Sequence, residues 1–393
     1  MRLNAPVEHS SGVRPRRRFS PGLSSTGGPA GLSGGAVGGT GGSTRTRGGA
    51  MKVGLVGYQG GGKSTVFELL TRIPPDPAKA YTGQVGVAVV PDERFERLVQ
   101  LLGSRKATPA KIELFDTPGL SRDDSSVNAQ RLAIIRECTA LVQVIGAFAG
   151  WDPLEEARRF EDDLILADLQ VVSNRIQRLE KDVVKARPDR EELAAELEAL
   201  RPLAEALEQG ETLRDCRLTD LQERAVRSFA LLTRKNQLVL LNTSDPQIDS
   251  SVLDQFAARG VRVVAAPVGL ELELLQLSED ERAEFAEEMG LTEPCRDRLL
   301  RAIFEVTDQI TFYTCTEKEA RAWLLKRGAT ALDAAGAIHT DLARGFIRAE
   351  IMSADDLLRL GSEREVKAAG LHHVEGKDYV VQDGDEILIR FNV

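Results

Sequence analysis

The chain has 393 residues, a net charge of −9, and 42% hydrophobic and 28% charged residues, a composition typical of a globular protein with two or three domains. No apolar stretch approaches the ~20 residues that a membrane-spanning helix needs, which argues against an integral membrane protein. The four cysteines are scattered without a CxxC pair, which predicts a reducing compartment and argues against both disulfides and a zinc site. No histidine lies between His9 and His339, so chemistry in that stretch runs without imidazole.

Residues 1–50 differ in composition from the rest of the chain, with 13 of the 35 glycines and seven arginines against one glutamate. Such a segment buries too little apolar surface to offset its ordering entropy, so we predict a disordered extension. Its Arg14-Pro15-Arg16-Arg17-Arg18 cluster could contact nucleic acid. An apolar signal-peptide core is lacking, and the glycine content argues against an amphipathic transit peptide. The alternative is that translation begins at Met51.

A phosphate-binding motif follows the first predicted strand, Met51–Gly57, and precedes a helix predicted from Thr65. Residues 57–64 read GYQGGGKS, a full match to GxxxxGK[ST]. Backbone N–H groups would surround the phosphates, Lys63 would bridge the β- and γ-phosphates, and the Ser64 hydroxyl would bind Mg²⁺. A glycine-rich turn that needs no ligand is the alternative, and the Lys-Ser pair argues against it. The motif predicts these nucleotide-binding residues: Gly57, Gln59, Gly60, Gly61, Gly62, Lys63, Ser64 and Thr65.

A second motif, Asp116-Thr-Pro-Gly119, ends the strand predicted from Lys111. We expect Asp116 to hold Mg²⁺, directly or through water, and the Gly119 amide to sense the γ-phosphate, so Lys63 and Gly119 are the predicted catalytic residues. The tetrapeptide alone is a common turn, but its position after a P-loop and at a strand end favours the functional interpretation. Leu120 occupies the place of the glutamine that orients water in many GTPases, which predicts slow turnover.

Two further ligands are predicted from shorter patterns. Thr82 is the candidate switch-loop threonine that closes on Mg²⁺, and the alternative is an ordinary turn at 81–83. Asn242-Thr-Ser-Asp245 follows the strand predicted at Gln237–Leu241 and has the NxxD layout of a base-reading loop, with Thr243 in place of the usual lysine. Asp245 can accept two hydrogen bonds from guanine but would face the N1 acceptor of adenine. A turn and helix cap is the alternative.

Residues 153–225 are highly charged, with two apolar seams separated by Arg187-Pro188, a pattern that predicts an antiparallel coiled-coil hairpin. A plain helical subdomain is the alternative. The strand–helix alternation on both sides predicts an α/β nucleotide-binding domain, residues 51–152 and 226–306, with a mainly parallel sheet. The predicted seam residues are Leu169, Val172, Ile176, Leu179 and Val183, then Leu193, Leu197, Leu200, Ala204 and Leu207.

Residues 307–393 predict a compact α+β interaction module. Its predicted elements are a strand at Ile310–Tyr313, a helix at Glu317–Lys326, and short strands up to Phe391. His339 lies among basic residues, and we interpret it as structural rather than functional.

From Met51 to Val393 the chain resembles the Obg-like ATPases of the YchF type, a TRAFAC-class family of P-loop NTPases. Leu164-Ile-Leu-Ala-Asp168-Leu resembles the start of that family's coiled-coil insertion. The resemblance implies a G domain with a helical hairpin and a C-terminal β-grasp (TGS) domain, together with Mg²⁺-dependent ATP hydrolysis in the cytoplasm and association with ribosomes. It is closest in these C-terminal segments: Lys318-Glu-Ala-Arg321-Ala-Trp, Gly328-Ala-Thr, Ala335-Gly-Ala-Ile-His339-Thr-Asp, Gly345-Phe-Ile-Arg-Ala-Glu350, Glu375-Gly-Lys-Asp-Tyr and Gln382-Asp-Gly-Asp.

The sequence departs from the family pattern in three places. Gly60-Gly61 replace the family's Asn-Val, which puts a monovalent-cation role of that asparagine in doubt. The segment Ser121–Val127 is shorter than the family's and has no histidine, which excludes a histidine-assisted mechanism. Asp245 stands where the family carries the glutamate linked to ATP preference, which shifts the balance toward GTP; we still favour ATP.

Two functions remain compatible with these residues. Lys63, Ser64 and Asp116 favour an enzyme that hydrolyses a nucleoside triphosphate. Leu120 and the missing histidines favour a ribosome- or RNA-binding module that uses its nucleotide structurally. A kinase is disfavoured because no acceptor-binding element is recognisable.

Overall fold

The computed structural model describes residues 51–246, 249–288 and 294–392. The predicted disordered extension, residues 1–50, lies outside this part of the chain. Among the residues described, no helix combines the length and apolarity that crossing a membrane requires.

The chain alternates strands and helices up to α10 and then becomes richer in strands. The strands are β1 (Lys52–Val56), β2 (Gln84–Val89), β3 (Ala107–Thr108), β4 (Lys111–Asp116), β5 (Ala140–Gly146), β6 (Asn236–Asn242), β7 (Val263–Ala266), β8 (Gln309–Cys315), β9 (Ala320–Lys326), β10 (Phe346–Ser353), β11 (His373–Glu375) and β12 (Asp385–Phe391). The helices are α1 (Lys63–Thr71), α2 (Glu93–Leu102), α3 (Asn128–Ile135), α4 (Pro153–Val183), α5 (Arg190–Glu208), α6 (Asp220–Val226), α7 (Ser250–Ala258), α8 (Val268–Leu274), α9 (Glu279–Glu288), α10 (Cys295–Val306), α11 (Ala331–Ile338), α12 (Thr340–Arg344), α13 (Ala354–Leu360) and α14 (Glu363–Ala368).

The first sheet has the order β2-β4-β1-β5-β6-β7, with β2 antiparallel to β4 and the other neighbouring pairs parallel. Strand β5 is buried along its whole length, as expected for a central strand covered by helices on both faces. The carboxyl ends of β1, β4 and β6 carry the three predicted motifs. The predicted mainly parallel sheet with the nucleotide motifs at one edge is therefore confirmed.

Helices α4 and α5 form the predicted hairpin between β5 and β6, and the break between them falls at residues 184–189. Val172 and Leu179 of α4 pack with Leu197, Leu200 and Leu207 of α5 in one buried cluster. Arg175 of α4 is joined to Glu196 of α5 by two hydrogen bonds of 2.8 and 2.7 Å. The apolar repeat of the sequence therefore lies at the contact between the two helices.

The second sheet has the order β11-β10-β12-β8-β9-β3, which mixes parallel and antiparallel pairs. The helix predicted at Glu317–Lys326 is wrong, because Ala320–Lys326 is strand β9. Its residues are good helix formers, but pairing with β8 over its whole length and burial of Ala320 and Ala322 outweigh that local preference. A turn, in which the Thr316 N–H donates to the Glu319 carbonyl, reverses the chain before the strand.

The two sheets are joined through α2 and β3, which lie early in the chain. Strand β3 pairs with β9, and the Phe95 ring of α2 stacks on Tyr313 of β8 with a centroid separation of 6.0 Å. The Tyr313 hydroxyl donates to Asp92 at 2.6 Å, and Arg94 bonds Asp383 at 2.8 Å. One apolar cluster runs across this junction. The domain boundary at residue 307 stays a prediction, because the modules on its two sides share a core.

A buried carboxyl group on β12 predicts a pH-dependent stability. Burial raises the pKa of Glu386 to about 7 from 4.5, and its carboxylate accepts a 3.2 Å bond from the Cys315 N–H. Since the folded protein holds this proton more tightly than the unfolded chain, the free energy of unfolding falls as the pH rises from about 4.5 to about 7. We expect Glu386→Gln to raise the free energy of unfolding by up to about 3 kcal/mol at pH 8 and little at pH 5.

Urea unfolding at the two pH values, followed by the fluorescence of the two tryptophans, measures this difference. The matched control is Glu363→Gln, which alters an exposed carboxylate near the same group. An equal increase in the free energy of unfolding of Glu386→Gln at pH 5 and pH 8 would contradict the raised pKa of Glu386.

Candidate nucleotide-binding site

The P-loop connects β1 to α1, and its glycines are required by space as well as by backbone conformation. Gly57 has φ of 125°, and a Cβ atom there would lie 2.7 Å from the Val144 carbonyl oxygen. A Cβ atom on Gly61 would lie 2.8 Å from the same oxygen. Helix α1 begins at Lys63, and its N-cap residue Gly62 has φ of 89°. The first turn of α1 thus presents backbone N–H groups to the loop, as anion binding requires.

Lys63 is 7% exposed, and its Nζ donates a 2.8 Å hydrogen bond to the Tyr58 carbonyl. Burial lowers the pKa of Lys63 to about 8, although the nearby Asp116 carboxylate acts in the opposite direction. The ammonium group is therefore held in a desolvated position, where an anionic phosphate would strongly favour its charged form.

Ser64 and Asp116 meet beside Lys63, although they come from different elements. The Ser64 hydroxyl donates a 2.6 Å bond to Asp116 Oδ2, whereas Asp116 Oδ1 is buried without a hydrogen-bond partner among the described residues. Burial raises the pKa of Asp116. A serine hydroxyl beside a carboxylate with an unsatisfied oxygen fits the hard oxygen ligands that Mg²⁺ prefers.

The Asp116–Gly119 segment lies directly on the P-loop. The Gln59 N–H donates to the Leu120 carbonyl at 2.9 Å, and the Leu120 N–H donates to the Gly57 carbonyl at 3.0 Å. A Cβ atom on Gly119 would lie 2.5 Å from Lys63 Nζ and 3.0 Å from the Gln59 backbone nitrogen, so a side chain there would displace the lysine and press on the P-loop. The Leu120 side chain is 0% exposed and packs in a buried apolar cluster. It therefore points away from any phosphate.

Two arginines that the sequence analysis did not single out reach these loops. Arg131 of α3 donates a 2.6 Å bond to the Gly119 carbonyl. Arg122 donates a 2.7 Å bond to the Gln59 carbonyl, forms two hydrogen bonds with Glu156 of α4, and lies 3.6 Å from the ring centroid of Trp151. Neither arginine belongs to a sequence motif, and only the fold brings them to the site.

The predicted base-reading residues differ in their placement. Asn242 is buried at the end of β6 and donates a 3.3 Å bond to the Gly61 carbonyl, so it lies against the P-loop. Its Oδ1 is a buried atom without a partner in the part of the chain that the structure describes. Asp245 is exposed in the following loop, where the Thr243 hydroxyl donates to its carbonyl at 2.8 Å.

A cavity of about 340 Å³ is lined by Lys63, Ser64, Asp116 and Gly119 together with part of the P-loop. Thr82 is not among the residues that line it; this threonine is exposed, and its N–H donates to the Lys79 carbonyl in a turn. Its role as a Mg²⁺ ligand therefore stays a prediction. A larger groove of about 430 Å³, at the opposite end of β6, contains none of the motif residues. The cavity is lined by Gln59, Gly60, Lys63, Ser64, Pro75, Asp76, Pro77, Lys79, Ala80, Gln84, Asp116, Thr117 and Gly119.

A glycine loop at a helix N-terminus, a buried lysine and a serine–aspartate pair, all at the carboxyl edge of a parallel sheet, define a P-loop nucleoside triphosphatase. Comparisons with known proteins agree. A family model described as a 50S ribosome-binding GTPase matches residues 52–175. The YchF-GTPase_C model, described as a protein of unknown function (DUF933), matches residues 309–392.

Curated relatives match nearly the whole chain. It is 33% identical over 368 residues to the ribosome-binding ATPase YchF of Bacillus subtilis, covering 88% of this chain and 100% of that protein. It is 32% identical over 380 residues to Obg-like ATPase 1 of Oryza sativa, covering 87% and 92%. The solved structure of the Schizosaccharomyces pombe YchF GTPase has the same fold, with a TM-score of 0.72, 24% identity, and coverage of 86% of this chain and 97% of that one. The chain belongs to the YchF family of Obg-like ATPases.

Proposed function

We propose that this protein hydrolyses ATP slowly in the presence of Mg²⁺ and associates with ribosomes in a way that depends on its nucleotide. The observation that carries the hydrolysis proposal is the Ser64–Asp116 hydrogen bond beside Lys63, which leaves one buried carboxylate oxygen unsatisfied. Mg²⁺ held by Ser64 and Asp116 would neutralise charge that develops on the phosphates. Lys63 would bind the β- and γ-phosphates, and the Gly119 amide would contact the γ-phosphate alone.

Slow turnover is supported by Leu120. Its buried side chain provides no group that orients an attacking water. Positioning and charge stabilisation by the P-loop remain, and in phosphoryl transfer these supply most of the catalysis. We therefore expect an enzyme that remains in its triphosphate state for a long time between hydrolysis events, as a molecular switch requires.

The choice of ATP rests on the relatives, which are named as ATPases over nearly the full length of this chain. Asp245 favours the second candidate, GTP, because its carboxylate can accept two hydrogen bonds from guanine. It follows Asn242, which is buried and contacts the P-loop. A guanine-reading Asp245 would have to turn toward the base from an exposed loop. Comparison of the two nucleotides as substrates decides between these candidates.

A structural link supports a switch that extends beyond the nucleotide site. Arg122 bonds both the Gln59 carbonyl of the P-loop and the Glu156 carboxylate of α4, the first helix of the hairpin. Because α4 is one continuous helix over Pro153–Val183, a shift at its first turns would move the end of the hairpin. Nucleotide state could thus change the surface offered to a ribosome, which the B. subtilis relative is named for binding.

The ribosome proposal predicts that sedimentation of the full-length chain with purified 70S ribosomes depends on nucleotide. We expect the Kd for ribosomes, from pelleting over a range of ribosome concentrations, to differ at least threefold between a non-hydrolysable ATP analogue and no nucleotide, a free-energy difference of about 0.7 kcal/mol. The difference should vanish in Lys63→Ala. Pelleting that is the same in every nucleotide state and in the variant would contradict the switch.

A further inference from the structure

Arg131 differs from the other arginines near the Asp116–Gly119 segment because no carboxylate bonds it directly among the described residues. Arg122 is paired with Glu156 at 2.7 Å, and Arg136 is paired with Asp168 at 2.7 Å. Arg131 makes no ion pair within 4.0 Å in the described ranges, and its hydrogen bond goes to the neutral Gly119 carbonyl. The exposed Asp124 carboxylate acts on Arg131 through space without bonding it, so this partly buried guanidinium can still attract an anion in the pocket.

The Gly119 carbonyl, which accepts the Arg131 hydrogen bond, belongs to a tightly packed residue. Gly119 is packed so tightly that a Cβ atom would lie 2.5 Å from Lys63 Nζ and 3.0 Å from the Gln59 nitrogen. A displacement of Gly119 by a fraction of an ångström would therefore change how its amide meets a terminal phosphate. Arg122 and Arg131 are both close enough to Lys63 for their positive charges to repel it.

We propose that Arg131 is a positioning residue for the terminal phosphate, acting through Gly119. Its hydrogen bond fixes Gly119 over Lys63, and its charge adds positive potential to a pocket in which Leu120 provides no polar side chain. Gly119 would contact the γ-phosphate, which a nucleoside diphosphate lacks. Arg131 therefore favours binding of a nucleoside triphosphate over a diphosphate. This inference rests on the proposed function.

The test compares Arg131→Ala and Arg131→Lys with the wild-type full-length chain. The control is Arg158→Ala, because Arg158 is an exposed arginine that bonds only Glu155 and Asp162 on its own helix. We measure kcat and KM for ATP, and the Kd of ADP and of a non-hydrolysable ATP analogue, all with Mg²⁺. Thermal unfolding of each variant shows that it is folded.

We expect Arg131→Ala to lower kcat about tenfold or more and to weaken binding of the ATP analogue, while the Kd of ADP stays within about twofold. Arg131→Lys should recover part of both losses, and Arg158→Ala should match the wild type. Unchanged kcat and binding, or equal weakening of ADP and the ATP analogue, would overturn the assignment. Should the wild type bind ATP without turnover, proposed hydrolysis fails, whereas the ratio of the two Kd values still decides the role of Arg131.

Discussion

Replacement of Lys63 by alanine is expected to lower kcat/KM for ATP by roughly a hundredfold or more. The Lys63 ammonium is buried, donates to the Tyr58 carbonyl and sits against Gly119, so no other side chain can take its place without moving the loops. Lys63→Arg should not restore activity, because the larger guanidinium has no room beside Gly119.

Phosphate release under single-turnover conditions measures this effect on the full-length chain. Lys111→Ala is the matched control, since Lys111 is exposed and begins the same strand that Asp116 ends. Turnover by Lys63→Ala within threefold of the wild type would show that phosphate binds elsewhere.

Asp168→Ala is expected to lower the free energy of unfolding by about 3–5 kcal/mol. The Asp168 side chain is 0% exposed and accepts hydrogen bonds from Arg136 at 2.7 Å, from the Leu232 N–H at 3.0 Å, and from the Thr233 N–H and hydroxyl at 2.8 Å each. Removal of the carboxylate leaves the Leu232 and Thr233 donors without this acceptor where water has little access, whereas the same Arg136 nitrogen keeps a 3.2 Å bond to the Ala230 carbonyl. Arg136 would keep only its 3.0 Å bond to the Ala167 carbonyl as a hydrogen bond to α4 among the described residues.

Urea unfolding monitored by circular dichroism measures the loss. Asp162→Ala provides the control on the same helix, because Asp162 is exposed and pairs only with Arg158, so its loss should change stability by less than about 0.5 kcal/mol. Equal unfolding midpoints for the two variants would mean that the Asp168 cluster contributes nothing to the fold.

The central part of the candidate nucleotide site is predictable from the sequence because its residues lie in short, contiguous motifs. The P-loop supplies glycines, Lys63 and Ser64 within one motif, and Asp116 is marked by a strand that ends in DTPG. Regular apolar spacing likewise predicts the α4–α5 hairpin, since a helical seam is visible in a single chain.

The remaining features depend on contacts between distant segments, and local patterns do not reveal them. Arg131 belongs to no motif, and nothing in the sequence distinguishes it from Arg158. Its contact with Gly119 depends on how α3 packs in the fold. The residues of Ala320–Lys326 prefer helices, and it is pairing with β8 and β3 that makes the segment a strand. Thr82 is a candidate by its residue type, and it is exposed outside the cavity lining although Lys79 and Ala80 of the same turn belong to that lining.

Phosphate release from ATP and from GTP by the full-length chain, with Mg²⁺ and with EDTA, tests the central claim most directly. We predict slow, Mg²⁺-dependent hydrolysis with a kcat/KM for ATP at least tenfold higher than for GTP, a difference of about 1.4 kcal/mol. Preference for GTP that is lost in Asp245→Ala would contradict the choice of ATP. If neither nucleotide gave phosphate release above the EDTA control, the proposal that the protein is an enzyme would be contradicted.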